Sequence, residues 1–283
     1  MSILVTGKSG SLAKDIHSFF GDYYQKEKIL YSGREELNLT NKSDVNNFFQ
    51  SHKIEYVLHT AIKGGRRTQE ENYEVLYNNL LMFHNLSSHI SKMKLFINFD
   101  SMASFDRRYA MNNIKEDSLF HRLPKDFYGL SKNIICRLGL IDHKCFLNLR
   151  IFSCFSENEA SDRMIKGNIL RYLKNDPMIV HQNKYMDFVY SYDVLKVVKY
   201  CIENVNNLKK RSYNICYKNK TTLLEVAEMI NNLSNRKVGI ILQNKEMGLP
   251  VTGCGKSIEK LNIQFTGLEE GIKRTYDLIR NSK

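Results

Sequence analysis

The sequence predicts an α/β protein: a doubly wound parallel sheet with a smaller C-terminal α/β lobe. Three observations carry that prediction. Short, nearly all-apolar runs recur along the chain, amphipathic stretches of helical period alternate with them, and a glycine-rich turn joins the first run to the first such stretch. Strands apolar throughout are buried on both faces, the condition of parallel strands covered by crossover helices.

Taken in order, residues 3–6 (ILVT) are the first strand, and Leu12, Ile16, Phe19 and Phe20 mark the helix after the turn. Residues 28–32 (KILYS) read as the second strand, 44–52 as a helix and 56–60 (YVLHT) as the third strand. A longer helix covers roughly 70–91, the fourth strand is 94–99 (KLFINF), a helix begins near Phe127, and 145–151 is a further apolar strand. Beyond Phe155 the pattern loosens: a helix over 165–173 and a short β segment at 177–182 precede 187–203, a strand end and helix returning to the first domain. Residues 213–216 read as a strand and 268–279 as a closing helix. Between them, 222–233 is an amphipathic helix opened by Thr222, with Glu225 in the capping-box position. The division expected is a Rossmann-type dinucleotide-binding domain over 1–155 plus about 186–212, and a substrate lobe over about 156–185 plus 213–283.

Composition excludes several classes. With 42% hydrophobic and 11% aromatic residues the chain is ordinary globular protein. No run of about 18 apolar residues occurs and no basic-then-apolar leader opens it, so a soluble cytoplasmic protein without a membrane partner is expected. The six cysteines include no C-x-x-C pair and the eight histidines no metal spacing, so reduced thiols and no metal site are expected. The formal charge of +12 is dispersed, with no basic helix or arm; an anionic small substrate or cofactor, not nucleic acid, is the expected partner.

The turn reads Thr6-Gly7-Lys8-Ser9-Gly10-Ser11-Leu12-Ala13. Between a strand and a helix, such a turn aims backbone N–H groups at a pyrophosphate. Gly7 and Gly10 stand where the turn is tightest and where phosphate approaches; the third position need only be small, so Ala13 serves. At the end of the second strand, where an acid would take the ribose hydroxyl of NAD, the sequence is Tyr31-Ser32-Gly33-Arg34. No acid stands there, and Arg34 either clamps a 2'-phosphate, with help from Lys8 and Ser9, or is a surface charge. NADPH (NADP when oxidised) is the expected cofactor.

A second motif is DFYGLSKN, in which Tyr128 and Lys132 share one helix face. An ammonium beside a phenol lowers its pKa from about 10, which suits a proton donor to a carbonyl. Ser101, ending the fourth strand, offers a hydroxyl to the same oxygen.

On TGKSGSLA, DSMASF, YGLSK, LRIFSCF and MDFVYSYDV the chain resembles the extended short-chain dehydrogenase/reductases (the NAD-dependent epimerase/dehydratase superfamily) that act on nucleotide sugars. Within it, SGREELNLTNKSDVNNFF and HTAIKGG followed by NNLLMFHNL are most similar to the GDP-L-fucose synthase branch. The resemblance implies hydride transfer between NADP(H) and C4 of a sugar, with Tyr128 as acid/base, Lys132 on the cofactor ribose and Ser101 on the carbonyl oxygen. It further implies cofactor contacts from Ser11 and Leu12 in the turn, Asn38 and Leu39 near the adenine, and Ala61, Ile62 and Lys63 along pyrophosphate and ribose. Asn79, in the long helix against the active site, is implied as a further cofactor contact. Arg66 and Arg67 are either a surface pair or a substrate-phosphate contact. A homodimer is implied through the Tyr128 helix and its neighbour, with Ile134, Ile135 and Leu138 on the apolar face.

Departures narrow the chemistry. Fucose synthases epimerise with a cysteine two residues beyond the serine and a histidine in the substrate lobe; here those regions hold Ala103 and Asp162-Arg163-Met164-Ile165. Dehydratases need an Asp-Glu pair where this chain has Met102-Ala103. Carbonyl reduction without epimerisation remains: a 4-keto reductase of a nucleotide sugar, GDP-linked by resemblance, a 6-deoxyhexose or 6-deoxyheptose of the kind used in bacterial surface polysaccharides. Substrate contacts are expected from Ser101, Met102, Ala103, Ser153 (the family's usual asparagine) and Lys184, near Met186, where the family often has arginine. A 4-epimerase with tightly bound NAD and a non-catalytic dinucleotide-binding redox sensor are the competing readings.

Overall fold

The computed structural model describes residues 2–21, 23–24, 28–65 and 70–282. Arg66 and Arg67 lie outside them. In chain order the elements are β1 (Ile3–Thr6), α1 (Ser11–Gly21), β2 (Ile29–Ser32), α2 (Lys42–Ser51), β3 (Tyr56–His59), α3 (Tyr73–Ser87), β4 (Leu95–Ser101), β5 (Met111–Ile114), α4 (Phe127–Asp142) and β6 (Phe146–Ile151). There follow β7 (Cys154–Phe155), α5 (Met164–Lys174), β8 (Met178–Gln182), β9 (Val189–Tyr190), α6 (Ser191–Glu203), β10 (Ser212–Ile215), α7 (Leu223–Asn231), β11 (Ile240–Asn244), β12 (Val251–Gly253), α8 (Lys256–Glu259) and α9 (Leu268–Asn281).

Six strands form one parallel sheet in the order β10-β6-β4-β3-β1-β2. The apolar runs explain it. Ile3 and Val5 face one core with Ile97, Leu149 and Val197, while Leu4 faces the other with Val57, Phe96 and Phe146. Both faces of the sheet are covered by packed side chains, most completely on the inner strands. The winding direction reverses between β1 and β3, which opens a crevice at the carboxyl ends of those strands, the usual ligand position in such sheets.

Three short parallel pairs, β8 with β11, β5 with β12 and β7 with β9, build the second lobe with α5, α7 and α9. Their shared core holds Ile169, Tyr172, Val226, Ile230 and Ile272. Thr222 and Glu225 form the expected capping box at the start of α7. Residues 213–215 do not belong to this lobe: β10 pairs with β6 at the edge of the main sheet, and Ile258 of α8 packs into the main core. A four-residue strand is too short to reveal from sequence which sheet it joins. Among the described residues no helix is long and apolar enough to cross a membrane, and no His/Cys/Asp/Glu group could hold a metal.

Candidate active site

The glycine turn has the geometry that its sequence demands. Gly7 has φ +72°, and a Cβ there would meet Ala61 Cα at 2.8 Å, so β1 and β3 approach too closely for any side chain. Gly10 N–H donates to Gly7 carbonyl at 2.9 Å. Lys8, Ser9, Gly10 and Ser11 are exposed at the start of α1, Leu12 is half-buried, and Ala13 sits in the core, the close helix-on-strand contact expected of it. Ala61 N–H donates to Thr6 Oγ1 at 3.1 Å, which fixes the β3 end beside the turn. Ile62 and Lys63 follow, exposed. These features fit a dinucleotide pyrophosphate: a cradle that a Cβ would fill, at a helix N-terminus.

At the end of β2 the structure corrects the sequence reading. An acid does stand there: Glu36 accepts from Gly33 N–H at 2.8 Å and is ion-paired with Lys8. The chain turns back after Gly33, so a carboxylate three residues later reaches the strand end. Arg34 is exposed on the same turn. The Asn38 side chain accepts from Thr40, and Leu39 is buried in the core, leaving only its backbone for a ligand.

Asn79 is also not the ligand expected. Fully buried, it accepts from Lys63 N–H at 2.8 Å and donates to Lys63 carbonyl and Ser131 Oγ, both at 3.0 Å. It ties the loop after β3 to α4. Glu71 makes a second tie: its carboxylate accepts from Gly65 N–H at 2.8 Å and Tyr128 N–H at 3.0 Å.

Ser101 and Tyr128 come together, hydroxyl to hydroxyl. Ser101 caps the short 3-10 turn Met102–Ser104, and Gly129 lets the Ala103 carbonyl press against α4 where any Cβ would collide. Gly65, at φ +78°, lies over the phenol ring; a Cβ there would sit 2.9 Å from Tyr128 Cζ. Lys132 is buried, its Nζ 6.0 Å from the centre of the Tyr128 ring, and it donates to the Phe99 carbonyl. The ammonium stands beside the ring as expected, yet the phenol is not acidified on balance. Burial pushes the Tyr128 phenol up to about 12, against the Ser101 hydrogen bond; Asp100 also raises it, and Arg163 and Arg107 lower it. Burial likewise holds Lys132 down to about 8, against the pull of Asp100.

A cavity of about 820 Å³ opens from this point into the second lobe. Ser101, Met102, Ala103, Ser153 and Lys184, the substrate contacts expected from the sequence, line it together with Tyr128 and Met186. Ser153 adopts φ +47°, a left-handed conformation that asparagine adopts more readily than serine. Its wall also carries Arg107, Arg163 and Arg171 against Glu71, Asp126, Glu159 and Asp162. That is a polar, cation-bearing cleft of a size for a nucleotide sugar.

Residues 3–216 match the model of the NAD dependent epimerase/dehydratase family. The chain belongs to that family. Its members are NAD(P)-dependent epimerases, dehydratases and reductases acting on nucleotide sugars. Solved structures agree in fold. A GDP-mannoheptose C4 reductase from Campylobacter jejuni with NADP bound superposes with TM-score 0.82 at 20% identity, over 99% of this chain and 98% of that one. A GDP-L-fucose synthetase from Naegleria fowleri bound to NADP gives 0.83 at 18%, over 99% and 93%. A UDP-glucose 4-epimerase from Thermotoga maritima with UDP-glucose gives 0.80 at 17%, over 100% and 99%. No curated protein sequence matches the chain.

Beneath the family's site lies a buried polar network that sequence reasoning missed. Arg150 and Asp100, both fully enclosed, pair at 2.8 Å, and the arginine also reaches Ser104 Oγ and Asn214 Oδ1. Asn148 donates to Asp100 at 3.0 Å. The signal was present: Asn98 and Asp100, then Asn148 and Arg150, stand at alternate positions within apolar strands. A strand buried on both faces has no place for such groups unless they pair.

Proposed function

We propose that the chain is an NADPH-dependent reductase of the C4 ketone of a GDP-linked 4-keto-6-deoxy sugar, hexose or heptose, acting without epimerisation at C3 or C5. The observation that carries this reading is on the cavity wall: the paired hydroxyls of Ser101 and Tyr128 stand at the carboxyl end of β4, and the positions where fucose synthases keep their epimerising cysteine and histidine hold Ala103 and the Arg163-Met164 region. Lys8, Ser9 and Gly10 would hold the dinucleotide phosphates on the turn, with Arg34 near the 2'-phosphate. When bound, NADPH supplies the hydride. Ser101 orients the ketone oxygen by hydrogen bonding, and Tyr128 donates the proton that the oxygen acquires. Lys132 and its backbone tie to Phe99 hold the phenol's helix against β4. Arg171 and Lys184, on the second lobe, would bind the diphosphate.

NADP in the Campylobacter and Naegleria structures supports the cofactor, and their GDP-sugar names support the base. A homodimer is part of the proposal. Tyr73 and Tyr77 on α3 and Leu138 and Ile141 on α4 are exposed, and a groove of about 450 Å³ runs between those helices. Ile135, expected on that face, is instead inside the core.

The test is loss of NADPH absorbance with freshly made GDP-4-keto-6-deoxymannose, followed by NMR of the product in deuterated water. Deuterium at C3 or C5 refutes the reading, and so does a Tyr128→Phe variant of undiminished rate. Glu36 favours a second reading, a 4-epimerase retaining NAD, because a carboxylate at the end of β2 suits a ribose hydroxyl. NAD carried through purification of the native protein would select it.

A further inference from the structure

Both the N–H and the carbonyl of Tyr128 are wired to one stretch of chain, the loop that follows β3. Tyr128 stands second in α4, so its N–H has no partner within the helix. It donates instead to Glu71 Oε2 at 3.0 Å. The other oxygen of that carboxylate, Oε1, accepts from Gly65 N–H at 2.8 Å. On the carbonyl side, Ser131 Oγ donates to the Tyr128 carbonyl at 2.7 Å and accepts from Asn79 Nδ2. The Asn79 amide in turn holds both backbone groups of Lys63. Lys63 and Gly65 are thus tied to the tyrosine from two sides, and Gly65 lies against the phenol ring itself.

We propose that Glu71 is a positioning residue for Tyr128: its carboxylate clasps the loop after β3 to the start of α4 and so fixes the phenol between the Gly65 backbone and the Ser101 hydroxyl. This rests on the reductase reading. A proton donor must stand within hydrogen-bond reach of the ketone oxygen. The tyrosine hydroxyl lies at the far end of its side chain, so a small tilt of the backbone at Cα is magnified at the oxygen. A misplacement of about 1 Å costs on the order of 100-fold in rate.

The chemistry of the clasp suits a carboxylate. It only accepts, and it has two oxygens, so it serves two N–H donors at once. Its charge also favours the N-terminal end of a helix. A glutamine offers one oxygen and one NH2, so one of the two N–H groups would face another donor. The neighbouring acids do other work. Asp126 caps Gly129 N–H at 2.8 Å and pairs with Arg107 at 3.0 Å. Glu74, on the same helix, is exposed and pairs with Lys63 at 3.6 Å. Among the described residues, Glu71 is the one carboxylate bonded to both the tyrosine and the loop. Lys63 is among the residues expected along pyrophosphate and ribose, so the clasp makes the cofactor's seat and the acid one piece.

The experiment uses NMR of the full-length protein carrying isotope-labelled glycine and tyrosine. The Gly65 and Tyr128 signals are assigned by their loss in Gly65→Ala and Tyr128→Phe. In Glu71→Gln both amides and the Tyr128 ring signals should shift, and the two amides should exchange with solvent about tenfold faster or more. Glu74→Gln, which removes a carboxylate from the same helix start, should change neither. Per folded molecule, Glu71→Gln should lower kcat about tenfold or more, leave KM for the ketone nearly unchanged and enlarge the solvent deuterium isotope effect, because the proton step has slowed. Glu71→Ala, which drops both bonds, should lower kcat at least as far. A carboxylate that only stabilises the fold would lower Tm and leave kcat and the isotope effect where they were, and that result overturns the proposal. So do Tyr128 ring and amide signals that stay in place. The NMR arm uses no substrate: a wild type inactive on the ketone would sink the reductase reading, while the signals of Tyr128 still decide whether Glu71 places its ring.

Discussion

Substituting Gly65 by alanine tests whether the loop after β3 shapes the phenol. Gly65 and Gly64 both have left-handed backbones, φ +78° and +85°, so alanine at either costs about 1–2 kcal/mol of backbone strain. Both variants should lose roughly 2–8 °C in Tm. They differ in what the new methyl meets. At Gly64 it reaches Val75 Cγ1, whereas at Gly65 it meets Tyr128 Cζ at 2.9 Å and Cε2 at 3.0 Å. Ordinary contact begins near 3.4 Å, so the ring must yield by about 0.5 Å. A displacement of that order at a proton-transfer group costs about 10-fold to 100-fold in rate. NADPH oxidation by each variant, normalised to the folded fraction from thermal melts, should show that loss for Gly65→Ala and at most a severalfold loss for Gly64→Ala. Equal losses in the two, or full activity in Gly65→Ala, would refute the claim that Gly65 positions the tyrosine.

Three further outcomes follow from the burial of charge. Arg150→Met leaves the Asp100 carboxylate enclosed and unpaired and should cost roughly 3–5 kcal/mol in denaturant unfolding; a cost under 1 kcal/mol would contradict the network. Glu159, held at about 7 by burial, has a folded pKa raised above its ordinary 4.5. Its contribution is therefore complete below about pH 4.5 and lost as pH rises through about 7, at most about 3 kcal/mol. The stability difference between wild type and Glu159→Gln should drift by that sign over the interval, and a flat difference would sink the assignment. Glu36→Gln frees Lys8 at the turn and should tighten NADPH binding severalfold at low salt, measured by nicotinamide fluorescence, with less effect on NADH; unchanged NADPH affinity would remove Glu36 from the cofactor site.

How much of this was legible in the sequence depended on range. The strands of the main sheet and the turn at Gly7 announce themselves because burial on two faces and a positive φ each constrain residue type locally. Ser101 and Tyr128 were legible separately, one from its place at the end of the fourth strand and the other from its four-residue spacing to Lys132. What escaped depends on chain segments that meet only in space. Glu36 is adjacent to the β2 end only because the turn doubles back, and Glu71 reaches Tyr128 across 57 residues. The tie of Asn79 to Ser131 likewise joins helices that the sequence merely lists in order. β5 and β12, and β8 and β11, pair far apart along the chain, with too few residues each to show a period. The bond from Lys132 to the Phe99 carbonyl was not legible, because helical spacing sets its Cβ beside Tyr128 but says nothing of where four methylenes and an ammonium go.

The protonation of the phenol bears on the direction of the chemistry. A phenol pushed up to about 12 is protonated throughout the physiological range, hence already in the form a reductase needs from an acid. A 4-epimerase must first oxidise its substrate, which requires the phenolate, the form that burial disfavours here. The two directions should therefore respond differently to pH. Ketone reduction should stay flat from about pH 6 to 8, because the phenol remains protonated throughout that interval. Oxidation of the product alcohol by NADP should climb with pH across the same interval, because each unit multiplies the phenolate fraction tenfold. Reduction that accelerates between pH 6 and 8 would mean that the phenolate is the working form, and the acid role of Tyr128 would have to be given up.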